Sequence, residues 1–300
     1  MSRHVRMQGR TVLLALCICL GGATGTHARA DQASPAGVAP LSLGFFPQMS
    51  TVALYKRFAP LRDYLTDVLQ RPVRLETAKD FPTFIQRTAA RQYDIVVTAP
   101  HFALLAADSG KYRIRLALDG VLQQLLIVRS DSPITEIRQL AGKRIATPPP
   151  NALMTMVGVH ALAKAGLVGD QAPQYRAFIS HNAATAALLA DEVDAAIAST
   201  NVIKQMQGTE STYRILSRSP QLPNIAVLVA SDLDPVLGDR VVQALVDINK
   251  TVRGGEVCRH TRFKGYRVVK SVAEYESMRP YMEQAVKALA NPLSQASLGR

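Results

Sequence analysis

The chain has no tryptophan, and two of its three cysteines, Cys17 and Cys19, stand together near the N-terminus. Once that segment is removed only Cys258 is left, which excludes an internal disulfide framework. Its neighbours Arg253, Arg259 and His260 would lower a thiol's pKa, although a structural or incidental cysteine is the plainer reading. Histidines number six, and no cluster of His, Cys and carboxylates has metal-ligand spacing, so neither metal nor cofactor is expected. Past the N-terminus no apolar stretch approaches the roughly 18 residues that span a bilayer. Acids are outnumbered, 23 against 35 Lys and Arg, but the basic excess forms no run and aromatics make up only 6%. Nucleic-acid binding is therefore not indicated, and the charge suits solubility or an anionic surface. No G-x-S-x-G elbow is present and no positioned acid accompanies Ser180-His181 or His101, so an enzyme is not expected.

What is present is enough apolar material, 48% of 300 residues, for one large or two medium domains. Residues 1–30 have the layout of an export signal: Arg3, Arg6 and Arg10, then the apolar Thr11 to Leu20, then Ala28-Arg29-Ala30 as a small-x-small cleavage site. Cleavage near Ala30 would leave a periplasmic protein, and the loss of four arginines and no acids would take its formal charge from +12 to +8. Residues 31–40 (DQASPAGVAP) read as a mobile lead-in.

The most informative stretch is Tyr93 to Leu105. Ile95, Val96 and Val97 are an apolar, β-branched run too short for a helix, and Pro100 is suited to the first position of the helix that follows. Thr98, Ala99 and His101 thus sit at a strand's carboxyl end, before the free N–H groups of a helix, where open α/β sheets hold small anions. Upstream, Leu41 to Phe46 reads as a strand, Ser50-Thr51 caps a helix to Leu69, Val73 to Thr77 is a strand, and Asp80 opens a helix. Strands follow at Arg113 to Leu118 and Gln123 to Val128. Ser132 and Pro133 predict a short helix ending at Gly142, then a strand at Arg144 to Thr147, a helix over Ala152 to Gly166 and a strand at Tyr175 to Ile179. Ser180-His181-Asn182 begins a helix, Asp194 to Ser199 is a strand before a further helix start at Thr200-Asn201, and strands are expected at Tyr213 to Leu216 and Ile225 to Ala230. Helices from about Pro235 to Thr251 and Val272 to Leu289 complete the chain. The strand-turn-helix arrangement recurs in both halves. We expect an α/β fold of two lobes, 41–126 with 222–300 and 127–221, with hinge strands near Leu125 to Val128 and Ile225 to Val229 and a cleft between the lobes.

The order of certain pieces resembles the periplasmic phosphate/phosphite/phosphonate-binding proteins of ABC transporters. They are Gly44-Phe45-Phe46-Pro47, Ala78-Lys79-Asp80-Phe81, Tyr93-Asp94-Ile95-Val96 with Pro100, Asp131-Ser132-Pro133-Ile134, Leu140-Ala141-Gly142-Lys143-Arg144, Ser180-His181-Asn182 and Glu192-Val193-Asp194-Ala195. The likeness covers roughly Leu41 to Arg279. It implies a type II periplasmic-binding-protein fold, each lobe a mixed sheet flanked by helices, with the ligand at the hinge. It implies Phe81, Thr98 and His181 as ligand contacts, with Asn201 and the helix start Asn151-Ala152-Leu153-Met154 at the matched positions; Phe46 and His101, at the ends of their strands, are candidates beside them, although a plain structural role is the commoner reading of His101. Two departures shape the expected ligand. The serine/threonine-rich run of phosphonate binders is replaced by Asn151 to Thr155, which keeps backbone N–H groups and the helix dipole but few hydroxyls. The carboxylate that pairs with a ligand amine is replaced by neutral Asn201. A small, less highly charged or partly apolar ligand fits, contacted by Met154 and Phe81 and hydrogen-bonded by Thr98, His181 and Asn201. The implied partner is an ABC permease; the alternative is a sensory protein of the same fold that presents its ligand to a membrane histidine kinase.

Overall fold

The computed structural model describes residues 38–203 and 211–290. The expected export segment and most of the lead-in lie outside the described residues. In chain order the elements begin with β1 (Leu41–Phe45), α1 (Thr51–Leu69), β2 (Val73–Glu76), α2 (Phe81–Ala89), β3 (Ile95–Thr98), α3 (Pro100–Asp108), β4 (Tyr112–Leu118) and β5 (Gln124–Arg129). They continue with β6 (Arg144–Thr147), α4 (Leu153–Lys164), β7 (Gln174–Ala177), α5 (His181–Leu189), β8 (Ala195–Ser199), α6 (Thr200–Ile203) and β9 (Tyr213–Arg218). The last are β10 (Ala226–Ala230), α7 (Pro235–Val246), α8 (Val252–Thr261), β11 (Tyr266–Val268) and α9 (Arg279–Ala290). Short polar side chains start α1, α2, α5, α7 and α8 by satisfying backbone N–H groups that have no intrahelical partner, as three of them show. Ser50 accepts from Ala53 N at 3.4 Å, Asp80 from Thr83 N at 2.8 Å and Ser180 from Ala183 N at 3.1 Å.

The strands form two mixed sheets, β11-β4-β10-β3-β1-β2 and β7-β6-β8-β5-β9, flanked by helices. In the first, β1 runs parallel to β2 and β3, while β10 pairs antiparallel with β3 and β4. In the second, β6 runs parallel to β7 and β8, and β5 is antiparallel to β8 and β9. β3, β8 and β10 are buried along their whole length, as their unalternating apolar sequences require.

One device recurs in both sheets and accounts for two of the motifs read from the sequence. Asp94, just before β3, accepts from the Ser42 amide at 2.8 Å and the Ser42 hydroxyl at 2.9 Å. Asp194, just before β8, accepts from the Arg144 amide at 2.8 Å and from its guanidinium at 3.0 Å. Each carboxylate thus locks the start of one parallel strand to its neighbour; the hydrogen bonds from Arg144 hold the Asp194 carboxyl below the usual carboxylate range. Asp94→Ala leaves the Ser42 amide without its partner and is expected to cost about 2 kcal/mol, read as a lowered urea midpoint by circular dichroism.

The chain crosses between the sheets at 119–123 and again at 219–225. The two crossings touch through an antiparallel bridge between Leu122 and Leu222, with the Leu222 amide donating to Leu122 O at 2.8 Å. The crossings therefore precede the segments expected to be hinges: Leu125 to Val128 lies within β5 and most of Ile225 to Val229 within β10. Asn224 ties this region together. Its side-chain oxygen accepts from its neighbour's Ile225 amide at 2.9 Å, and its carbonyl accepts from the Tyr275 hydroxyl at 3.1 Å.

Three local expectations differ from the structure. The short helix predicted at Ser132-Pro133 is instead a 3-10 turn at Ile137–Leu140, started by a reciprocal pair in which Glu136 and Gln139 each accept from the other's end of the turn. α7 ends at Val246 rather than Thr251, and the separate helix α8 and strand β11 were not expected. The final helix begins at Arg279, after a 3-10 segment Val272–Met278.

Candidate functional site

Carboxyl ends of strands and beginnings of helices from both sheets meet around a cavity of about 80 Å³. From the first sheet come Phe46 after β1, Phe81 at the start of α2, Ala99 between β3 and α3, and Pro100 and His101 at the start of α3. From the second come Ala152, Leu153 and Met154 at the start of α4, His181 at the start of α5, and Ser199, Asn201 and Val202 around the start of α6. The crossing segments add Leu122 and Ile225, and Gln48 stands on the first-sheet side. At roughly 10–15 Å³ per water-sized position, the space takes a ligand of about five to eight non-hydrogen atoms.

Of the residues expected from the sequence, Phe46, Phe81, His101, Ala152, Leu153, Met154, His181 and Asn201 are brought together here. Thr98 and Asn151 do not line the cavity. Thr98 is 1% exposed, paired in register with Ala226, and its hydroxyl is buried without a hydrogen-bond partner. Ala99 takes the place at the cavity wall. Asn151 is buried just before α4, with its backbone near the His101 ring. Sequence reasoning missed Gln48, Leu122, Ser199, Val202 and Ile225. Ser199 was accessible in principle, because it ends β8 as Thr98 ends β3; nothing in the local sequence marks Leu122 or Ile225, which arrive through the crossing of the two segments.

Among the described residues no charged side chain lines this cavity. The polar groups are neutral. His101 is fully buried, its ring 3.9 Å from that of Phe102, and neither ring nitrogen makes a hydrogen bond of ordinary geometry. Desolvation pushes its pKa down to about 3, with only a small opposing effect from the Asn151 backbone. His181 keeps some surface exposed, but its Nδ1 is buried without a partner, and desolvation takes its pKa down to about 4. Asn201 donates a long hydrogen bond, 3.4 Å, to the Asn224 side chain.

The positive character comes instead from backbone. α3 and α4 are preceded by Ala99 and Ala152 at their capping positions, and neither receives a side-chain cap hydrogen bond, unlike α2 and α5. Their first-turn N–H groups, those of His101 and Phe102 in α3 and of Leu153, Met154 and Thr155 in α4, have no partner within the helix. Both helix starts border the cavity, so two dipoles of the same sense converge on it. The arrangement can hold a negative or strongly dipolar group against amide hydrogens while Phe46, Phe81, Leu122, Leu153 and Met154 enclose an apolar part. Toward solvent a wider recess of about 460 Å³ lies between the turns Pro47–Thr51 and Ile179–Asn182, with Lys79 and Arg57 on its wall.

Cys258 is buried and free, and its thiol pKa is raised by burial and by Asp119, opposite to the lowering its basic sequence neighbours suggested. It is nonetheless close to the site, on a larger basin that shares Gln48, Asn201 and Ile225 with the inner cavity. Among the described residues no helix is long and apolar enough to cross a membrane.

Residues 43–275 match the family described as ABC transporter, phosphonate, periplasmic substrate-binding protein. Similar solved structures include a Prochlorococcus marinus protein in complex with methylphosphonate, 14% identical, with a TM-score of 0.72 over 82% of this chain and 98% of that one. A binding-protein component of an ABC phosphonate transporter from Pseudomonas aeruginosa is 14% identical, with a TM-score of 0.67 over 87% and 100% of the two chains. A Xanthomonas citri protein solved with ATP is 17% identical, with a TM-score of 0.68 over 82% and 98%. At these identities the structures share the fold, the two-lobed arrangement of type II periplasmic binding proteins.

Proposed function

Because the chain belongs to the periplasmic substrate-binding family of ABC phosphonate transporters, we propose that it captures a small phosphonate-like oxyanion between its two lobes and delivers it to a membrane permease. The family is one of solute-binding proteins rather than enzymes. We take the lobes to be 41–126 with 222–300 and 127–221, moving about the crossings at Leu122 and Leu222, with ligand favouring the closed form. The export signal at residues 1–30, cleaved near Ala30, belongs to the same reading. The family matched is a transport family, which supports the permease and lends no support to a kinase partner.

The observation that carries the ligand class is the convergence of two uncapped helix starts on a cavity that no charged side chain among the described residues lines. A buried charge needs compensation, and amide dipoles supply about half a charge per helix. Two such ends suit a single negative charge better than a double one. The apolar wall suits an alkyl substituent. In this reading the amides of α3 and α4 take the oxygens, His181 and Asn201 hydrogen-bond the head group, and Phe81 and Met154 enclose the substituent. Thr98 and Asn151 act through position, Thr98 by holding the end of β3 and Asn151 by leading into α4.

Calorimetry with methylphosphonate, methanesulfonate, phosphite and inorganic phosphate at one pH tests this. The expected order puts the methyl-bearing monoanions first and dianionic phosphate last; phosphate binding more tightly than every alkyl compound would overturn it. Asn201→Asp sets a carboxylate into a cavity where the amides are already taken up by the anion, and is expected to raise the Kd of the best ligand by more than about tenfold, whereas Asn201→Ala raises it only a few-fold. Equal effects of the two substitutions would remove Asn201 from the head-group contact.

A further inference from the structure

His101 borders the inner cavity, is fully buried, and has no hydrogen-bond partner among the described residues at either ring nitrogen. Buried polar groups are nearly always paired, so the ring is out of place as plain core. The rest of α3 up to Ala107 is apolar. A phenylalanine or leucine would fill the position without desolvating two nitrogens.

The surroundings decide what each nitrogen does. The Asn151 backbone acts to raise the pKa of the ring, against the larger lowering by burial. A backbone group favours a protonated imidazole only as an acceptor, so it is the Asn151 carbonyl that faces one ring nitrogen. That nitrogen carries the hydrogen, although too loosely for a hydrogen bond of ordinary geometry. A neutral imidazole has a single N–H, which leaves the other nitrogen a bare acceptor. Among the described residues no charged group moves the pKa of this ring. On and around the elements packed against α3, Arg279 pairs with Asp108 and Glu276, Arg267 with Glu274 and Arg115 with Asp239. The other titratable side chain at the cavity is His181, whose buried Nδ1 is likewise without a partner. A lone pair set against an oxyanion repels it unless a hydrogen lies between them.

Resting on the small-oxyanion reading above, we infer that His101 selects a solute that keeps one acid hydroxyl, which it donates to the bare ring nitrogen while its other oxygens take the amides of α3 and α4. The class is that of phosphonic-type acids in their singly charged form. Sulfonates, of the same shape and charge but without an ionisable hydrogen, fall outside it. The ring thus gives the site a second reason to prefer one negative charge to two: the retained proton is itself a contact.

The test is calorimetry at pH 6 with methylphosphonate and methanesulfonate, matched in size and each singly charged. Methylphosphonate is expected to bind more tightly by roughly tenfold or more, the scale of one hydrogen bond to a charged group. His101→Phe keeps an aromatic ring and loses the acceptor; it is expected to remove the preference, bringing the two affinities within a few-fold of each other. A second measurement needs no variant. At pH 9, where free methylphosphonate has lost its second proton, titrations in two buffers of different protonation enthalpy should show uptake of about one proton per ligand bound. Methanesulfonate binding as tightly as methylphosphonate at pH 6, a preference unchanged in His101→Phe, or binding at pH 9 without proton uptake overturns the inference and leaves the solute-binding reading in place. Binding of neither compound removes that reading, and this inference with it.

Discussion

Gly254→Ala is expected to lower the melting temperature by roughly 6–12 °C, whereas Gly255→Ala, one residue on, leaves it unchanged or raises it. The two glycines are adjacent in α8, and propensity alone would treat them alike: alanine in place of a mid-helix glycine contributes roughly 0.5–1 kcal/mol of stability. Their surroundings decide otherwise. A Cβ on Gly254 would lie 1.7 Å from Ile248 O and 2.7 Å from Ile248 C, both backbone atoms of the 3-10 turn Ile248–Lys250 that packs against the helix. Neither atom belongs to a flexible side chain that could swing aside, so the turn and the helix must separate. The nearest atom to a Cβ on Gly255 is the end of the Arg259 side chain, 3.9 Å away. Forcing a methyl group into packed backbone costs about 3 kcal/mol, and in a chain of this size each kcal/mol moves the melting temperature by roughly 2–4 °C. Thermal circular dichroism of both variants decides it; a Gly254→Ala melt within about 2 °C of the unaltered protein would mean that the turn yields and the contact is soft.

The same pair of glycines explains why α8 was invisible in the sequence. Gly254-Gly255 reads as a break, and the apolar positions around it are too few to show a period, so the segment after Thr251 carries no helical signal. What stabilises it is tertiary: the Thr251 cap accepting from Gly254 N at 3.0 Å, burial of Val257 and Cys258, and packing against α1. β11 has the same character, three residues that become a strand because the edge of β4 is there to pair with. The elements around the site are of the other kind. Ile95 to Thr98 with Pro100, and Ser180 with His181, carry their own signals, a buried strand run, a proline at a first helical position and a capping hydroxyl, so the sequence places them correctly without tertiary information. That is why most of the cavity wall was legible. The exceptions are instructive. Thr98 was assigned to the wall because it ends a strand, but its side chain is buried away from the cavity and Ala99, one residue on, stands at the wall; which face a strand residue presents is set by the pleat and pairing rather than by the residue. Leu122 and Ile225 reach the cavity only through the Leu122–Leu222 bridge, between positions 100 residues apart, for which a local pattern holds no signal.

Acidification from pH 7 to pH 5 is expected to lower the stability of the ligand-free protein by roughly 3 kcal/mol, through the two histidines that line the inner cavity. In the folded protein desolvation holds His101 at about 3 and His181 at about 4, whereas in the unfolded chain both titrate near the ordinary 6.5. Above pH 6.5 both states carry neutral imidazoles and nothing is lost. Below it the unfolded chain binds protons that the folded chain refuses, and each histidine withdraws about 1.4 kcal/mol per pH unit until its folded pKa is reached. The window runs from about 6.5 down to about 4 for His181 and to about 3 for His101, with the smaller share from His181 because part of its ring meets solvent. Carboxylates held low in the folded state, such as Asp80 and Asp194, also lose stability in acid, but only as pH falls through and below the ordinary carboxylate range. The interval from pH 5 to 6.5 therefore belongs to the histidines. Urea unfolding at pH 7, 6 and 5 measures the slope, and His101→Gln, which keeps hydrogen-bonding capacity without a titrating ring, is expected to remove at least half of it. A slope unchanged in His101→Gln would show that the ring is protonated inside the fold, and would place a cation in the cavity that the amide-lined site was argued to do without.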